Sequence, residues 1–167
     1  MDVLVEKEAE AMKEIPDNII HFFERQSFVI VSTLDPNNLI HCSVKGVAAI
    51  ESKGKAYIVD LYKANTFNNL LKNPTITITA VDEHHYAGYT LRGKAKIVEK
   101  DGFKDRVLKK WEKSVIQRIS KRLIKNLKEE RKTPMHPEAI FPSPQYLIEM
   151  EVEEIISLAA GSVNIHM

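Results

Sequence analysis

The hydrophobic pattern changes period several times along the chain, and each change marks an element. Over residues 3–25, Val5, Ala9 and Met12 recur at helical spacing. Ile15-Pro16-Asp17 interrupts them, and Asp17 is placed to cap a second helix carrying Ile19, Ile20, Phe22 and Phe23. From Phe28 the period falls to two. Phe28-Val29-Ile30-Val31-Ser32-Thr33 is rich in β-branched residues and ends in the turn formers Asp35-Pro36-Asn37-Asn38. A return strand over 39–50, a turn at Glu51-Ser52-Lys53-Gly54 and a third strand over 55–61 complete an antiparallel meander.

The strand signal stops between Lys63 and Asn73, where residues 66–72 fit a short helix closed by Asn73-Pro74. Alternation resumes over 75–81 and again over 89–98, with Gly93 marking a bulge or a close backbone approach. Residues 103–131 show the clearest helical period. Phe103, Val107, Leu108, Trp111, Val115, Ile116, Ile119, Leu123, Ile124 and Leu127 form one stripe, which predicts a long amphipathic helix or two in tandem. Pro134, Pro137, Pro142 and Pro144 enforce an extended loop before a final strand from Tyr146 to Val152.

These elements predict a mainly β protein of α+β class with peripheral helices. About six short antiparallel strands close on themselves as a small closed or split barrel, which removes exposed sheet edges. A length of 167 residues suits a single domain over 1–167, with the barrel core at about 27–100 plus a final strand at 145–153. With 44% apolar and 28% charged residues the chain lies far from the disordered regime. It has no apolar run of membrane-spanning length and no signal peptide, so a cytoplasmic location and no membrane partner are expected. The single cysteine, Cys42, excludes an internal disulfide and a multi-cysteine zinc site, and is expected to be a buried small apolar residue. Net charge is only +1, but residues 102–132 hold twelve of the 24 Lys and Arg against four acids, a local +8 that leaves −7 on the remainder.

The order of elements, with Phe28-Val29-Ile30-Val31-Ser32-Thr33-Leu34-Asp35, Tyr57-Ile58-Val59-Asp60, the Lys63–Pro74 segment carrying Thr66 and Asn69-Leu70-Leu71-Lys72-Asn73-Pro74, and Gly93-Lys94-Ala95 about twenty residues later, resembles the pyridoxamine 5'-phosphate oxidase-like FMN-binding split-barrel family over roughly residues 15–100. That resemblance implies a six-stranded antiparallel split β-barrel of FMN-binding type, homodimeric, with FMN at the subunit interface. It implies that Ser43, Val44 and Lys45 on the return strand meet the flavin ring, with Lys45 the candidate positive charge near its N1–C2 edge. Lys63, Asn65 and Thr66, with Asn69 close behind, would hold the phosphate. A lysine, a hydroxyl and the free N–H groups of a helix start are what such an anion needs. On the residues alone, the same segment also reads as a plain helix capped by Asn65 or Thr66. Pyridoxamine phosphate oxidase proper carries a C-terminal Arg and His constellation, whereas no arginine follows Arg131 here, so vitamin B6 oxidation is not expected. Asn65 also stands where a second basic residue is common.

The implied activity is that of an oxidoreductase passing a hydride or electrons between a nicotinamide reductant and a small-molecule substrate. The chemistry would be the flavin's own, with no side chain assigned as acid, base or nucleophile. Three other readings compete: a non-enzymatic flavin or deazaflavin binder; a haem protein using His21, His41, His84, His85 or His166; and a nucleic-acid or membrane-surface protein using the basic helix. No nucleic-acid partner is expected, because solvated lysines around a helix packed on the barrel account for the charge. His84-His85 beside Asp82 and Glu83 reads as a solvated turn, since adjacent strand residues diverge and no third metal ligand follows. Nucleophile-elbow, dinucleotide-fold and P-loop signatures do not occur.

Overall fold

The computed structural model describes residues 14–128, 143–159, 161, 165 and 166. The first predicted helix, over Val5 to Met12, and most of the proline loop lie outside them. In chain order the elements are α1 (Asp17–Glu24), β1 (Val29–Leu34), β2 (Ile40–Lys45), β3 (Val47–Glu51), β4 (Lys55–Asp60), α2 (Asn65–Lys72), β5 (Thr75–Asp82), β6 (Ala87–Glu99), α3 (Asp105–Lys128), β7 (Tyr146–Ser157) and β8 (Ile165–His166).

The strands form an antiparallel sheet in the order β2-β1-β5-β6-β7-β4-β3, with β8 added beside β7. The two ends of this sheet, β2 and β3, are consecutive in the chain and separated by Gly46 alone. A sheet whose opposite edges are joined by one residue has to curl until they meet, and this covalent closure makes the half-barrel. The expected return strand over 39–50 is therefore two strands with different partners. Ile30 faces Val44 in the β1–β2 ladder, while Ile50 faces Ala56 in the β3–β4 ladder. The count is accordingly seven strands on the main path rather than six.

Sequence signals account for most boundaries. The Asp35 carboxylate accepts the backbone N–H groups of Asn37 and Leu39, at 2.8 and 2.9 Å, and Asn38 takes a positive φ to close the β1–β2 hairpin. The Asn73 side chain accepts the N–H of Thr75 and turns the chain from α2 into β5. One core fills the barrel, with Phe23, Val31, Ile58, Ile76, Ile78, Leu91, Ile148 and Met150 all buried. A second, smaller cluster lies between the β3–β4 face and α3. Val107 is buried there, with Phe103, Leu108 and Trp111 packed beside it. Further along α3, Val115 and Ile119 are half-buried, while Ile116 is 63% exposed and Ile124 54%. A 24-residue helix spans about 36 Å, roughly twice the length of the five-residue strand beneath it, so it outruns the sheet.

The entry to α3 is fastened by charge. Buried Glu149 on β7 receives Lys104 at 2.7 Å, Lys96 at 3.1 Å and Lys55 at 3.3 Å, and Lys104 also donates to the Tyr57 hydroxyl at 2.9 Å. Burial alone would raise the Glu149 pKa, but the three lysines overcome it and bring the carboxyl down to about 2 from an ordinary 4.5. A carboxylate with a depressed pKa stabilises the fold above the unfolded-state value and loses that contribution as pH falls through the folded one. Glu149→Gln is therefore expected to cost about 1–3 kcal/mol in urea unfolding at neutral pH, the lysines' exposure screening the rest. That gap should narrow as pH drops from 4.5 towards 2. A gap that stays constant across this window would refute the assignment.

Candidate functional site

The site starts from an inverted strand. Along β2 the apolar residues point outward, Ile40 at 74% and Val44 at 67% exposure, with Cys42 between them. His41, Ser43 and Lys45 occupy the more enclosed face. Cys42 is thus exposed, its Sγ 3.4 Å from Ser32 Oγ, and the expectation of a buried cysteine fails. The reason is register: residues of one strand parity share a face, and the face Cys42 shares with Ile40 and Val44 is the outer one.

On the inner face Ser43 Oγ lies 3.1 Å from Thr66 Oγ1 on α2, across a separation of 23 residues. Thr66 is buried. The α2 N-cap is Ala64, without a side-chain cap, so the alternative of a plain helix capped by Asn65 or Thr66 does not hold. The first-turn N–H groups of α2 therefore keep their donor capacity. Lys63, just before the helix, stands over the Phe67 ring at 5.0 Å and pairs with Glu99 at 2.9 Å, both carboxylate and ammonium being solvent-accessible. Asn65 is exposed at the first position of α2. Asn69 is buried and donates to Thr33 Oγ1 at 3.0 Å, which pins α2 to β1.

Lys45 turns away from this group. Its Nζ is 2.5 Å from Asp60 Oδ2, with both side chains largely buried, at 12% and 8% exposure. Asp60 ends β4 and gathers further donors: the Leu61 N–H at 2.8 Å and the Tyr146 hydroxyl at 2.5 Å. Burial first, and the Asp60 carboxylate second, raise the Tyr146 pKa far above its ordinary value, so the hydroxyl stays protonated and donating. Beside this triad a cavity of about 150 Å³ opens between the ends of β2 and β4 and the α3 residues Trp111, Val115 and Arg118.

The seven sequence-predicted residues thus divide. Ser43 and Thr66 meet, with Lys63 and Asn65 at the same helix start; Lys45 belongs to the Asp60 triad; Asn69 is a buried strut; Val44 faces outward. Sequence reading assigned no role to Asp60 or Tyr146, and took Arg118 only as one of the charges flanking the basic helix. A strand ending in aspartate was the only signal for the first, and nothing local links it to Tyr146, 86 residues on. At the β5–β6 turn, Asp82 accepts the N–H groups of His84 and His85 and holds His85 Nδ1 at 2.9 Å. Both histidines are exposed, and no group of three metal-ligating side chains occurs among the described residues.

Comparison with solved structures gives the fold its context. HupZ of Group A Streptococcus superposes with a TM-score of 0.63 at 17% identity, over 89% of this chain and 98% of that one. A pyridoxamine 5'-phosphate oxidase-related, FMN binding protein of Nostoc punctiforme gives 0.54 at 10% identity, over 88% and 85%. An F420 reductase gives 0.53 at 13% identity, over 85% and 98%. No curated protein sequence matches the chain. The sequence profile described as pyridoxamine 5'-phosphate oxidase matches residues 15–156, from the residue before Pro16 and α1 to the penultimate residue of β7. With that match spanning most of its length and the half-barrel beneath it, the chain belongs to the pyridoxamine 5'-phosphate oxidase family.

Proposed function

We propose that the protein is an FMN-binding oxidoreductase that works as a homodimer, with the flavin held where β2 meets α2. The inverted polarity of β2 carries this reading. A strand that turns serine and lysine inward and isoleucine and valine to solvent breaks the pattern of a self-sufficient sheet, and such breaks mark sites and interfaces. Its inner face brings Ser43 to Thr66 and the uncapped α2 start, a set of donors suited to a phosphate dianion. Lys63 adds a mobile positive charge that exchanges Glu99 for the phosphate. When bound, FMN supplies hydride and electron transfer; the chain supplies position and hydrogen bonds around Ser43 to Lys45. The FMN-binding relative from Nostoc supports the choice of cofactor.

The outer face supports the dimer. Val44 and Ile30 face each other across the β1–β2 ladder, and Phe28, Ile40 and Val81 extend the apolar patch on the same side. A groove of about 670 Å³ runs between Phe28, Ile30 and Val81. A second copy covering this patch would also protect the β2 edge from non-specific pairing.

The test is an absorption spectrum after FMN is added and the protein desalted. Stoichiometric retention of the flavin bands is expected. In Lys63→Ala/Thr66→Ala the FMN Kd should rise about tenfold to a hundredfold, as charge-assisted hydrogen bonds are lost. Unchanged affinity would remove the phosphate assignment, and a protein that rejects FMN would remove the flavoprotein reading.

A further inference from the structure

The face of the sheet that carries Glu149 holds more positive charge than its carboxylates answer. β4, β7 and β6 lie side by side, and their registers set Lys55, Glu151 and Lys94 in one row and Tyr57, Glu149 and Lys96 in the next. Residues of one strand parity share a face, so these side chains stand together, on the side away from the Ile58, Ile148 and Met150 core. Lys104 closes the group from the entry to α3. Each lysine already has an acceptor. Lys55 and Lys96 share Glu149 Oε1, Lys104 takes Oε2, and Lys94 donates to Thr75 Oγ1 at 2.9 Å. A carboxylate offers about four lone-pair sites, whereas every ammonium brings three donors, so Glu149 gathers its lysines without using up their N–H groups. It is also the buried member, 7% exposed against 41% for Lys55 and 69% for Lys96, which leaves the ammonium groups open to solvent. With Glu151 counted, four ammonium groups stand against two carboxylates, an excess of two positive charges. A cavity of about 200 Å³ opens between Lys55, Lys94, Lys96, Glu149 and Glu151. That is the liquid share of roughly seven waters, room for a tetrahedral oxyanion with a short group attached.

We propose that this face binds a phosphate dianion, free or as the terminal group of a small molecule, with Lys55, Lys94 and Lys96 donating to its oxygens and Glu149 holding Lys55 and Lys96 in place. A dianion matches the excess of two charges, and charge-assisted N–H bonds to phosphate oxygens are the strong class of hydrogen bond. The site lies on β4, β7 and β6, whereas the phosphate position proposed for the flavin lies between β2 and the start of α2, so this inference does not rest on the flavoprotein reading.

Inorganic phosphate is the probe, with glycerol phosphate as the ester. Their phosphorus NMR signals, followed against the full chain at an ionic strength held constant with NaCl, should shift saturably, in the wild type and equally in Lys63→Ala/Thr66→Ala. Lys55→Met/Lys96→Met should raise the Kd about tenfold or more, with Lys104 left to hold Glu149. Lys113→Met/Lys121→Met removes the same net charge from exposed positions on α3 and should leave the Kd unchanged. Glu151→Gln raises the positive excess and should lower the Kd about twofold to fivefold, a tightening that disturbed packing would not give. This last variant carries the test if the methionine pair does not fold. Tighter binding of the ester assigns the cavity to a phosphorylated small molecule, and equal affinities assign it to the phosphate group alone; both keep the site. A linear response, a Lys55→Met/Lys96→Met titration that overlays the wild type, a Glu151→Gln protein that binds no tighter, or a signal lost in Lys63→Ala/Thr66→Ala overturns it.

Discussion

Gly93→Ala is expected to cost more than about 3 kcal/mol, a large part of the 5–15 kcal/mol that holds a domain of this size together. A Cβ at this position would sit 1.9 Å from the Glu151 carbonyl oxygen and 2.9 Å from the carbonyl carbon. Both are backbone atoms of a central strand, so neither can swing aside as a side chain would. The register explains the closeness. Arg92 faces Glu154 while Gly93 faces Val152, so Glu153 is the extra residue of a bulge on β7. The bulge bends β7 towards β6 and lets the long β6–β7 pair follow the curl of the barrel. Alanine would force the two strands apart at the middle of the sheet, with hydrogen bonds lost on both sides. Soluble yield and urea unfolding measure the effect. Gly102→Ala is the comparison: there the nearest atom is a side-chain methyl of Val98, which can rotate, and a loss under about 1 kcal/mol is expected. Equal losses at the two glycines would show that the β6–β7 approach is looser than described.

Gly93 illustrates what the sequence makes legible. Its place inside an alternating strand announced a close backbone approach, just as the threonine-isoleucine alternation announced β5 and the Asn73-Pro74 pair announced the end of α2. These are local signals, carried by residues that decide their own backbone. What the sequence hides is partnership. Nothing in Val44-Lys45-Gly46-Val47 says that the residues before Gly46 pair with β1 and those after it with β4, yet that division closes the barrel. The final strand runs to Ser157, beyond the expected end near Val152, because the Glu154 charge is met by Arg92 at 2.7 Å from the neighbouring strand. Arg92 lies 62 residues earlier in the chain, so nothing local at Glu153-Glu154 shows that the strand continues. The candidate site follows the same division. The Lys63 to Asn69 segment was visible as a motif, whereas the Asp60 triad and the Arg118 wall depend on residues that only the folded chain brings together.

Asp60→Ala is the second change with a large expected effect, about 3–5 kcal/mol, because it strands the Lys45 ammonium in a largely buried position without its counter-charge. It also removes the acceptor for the Tyr146 hydroxyl, which is itself buried. Lys45→Met is expected to cost less, since Asp60 would keep the Tyr146 hydroxyl and the Leu61 N–H as donors. The double variant then separates charge from packing. If the pair is buried as described, adding Lys45→Met to Asp60→Ala should recover at least about 1 kcal/mol, because an uncompensated ammonium costs more than an apolar side chain of similar length. Strict additivity in urea unfolding would mean that water reaches Lys45 and that the pair contributes little. The same variants test what Lys45 does at the site. If it serves chiefly to neutralise Asp60, the single Lys45→Met protein should retain FMN as the wild type does, and flavin contact falls to Ser43 and the strand backbone. A drop in flavin retention without a matching drop in stability would instead assign the Lys45 charge to the cofactor, and would require the ammonium to leave Asp60 when the flavin binds.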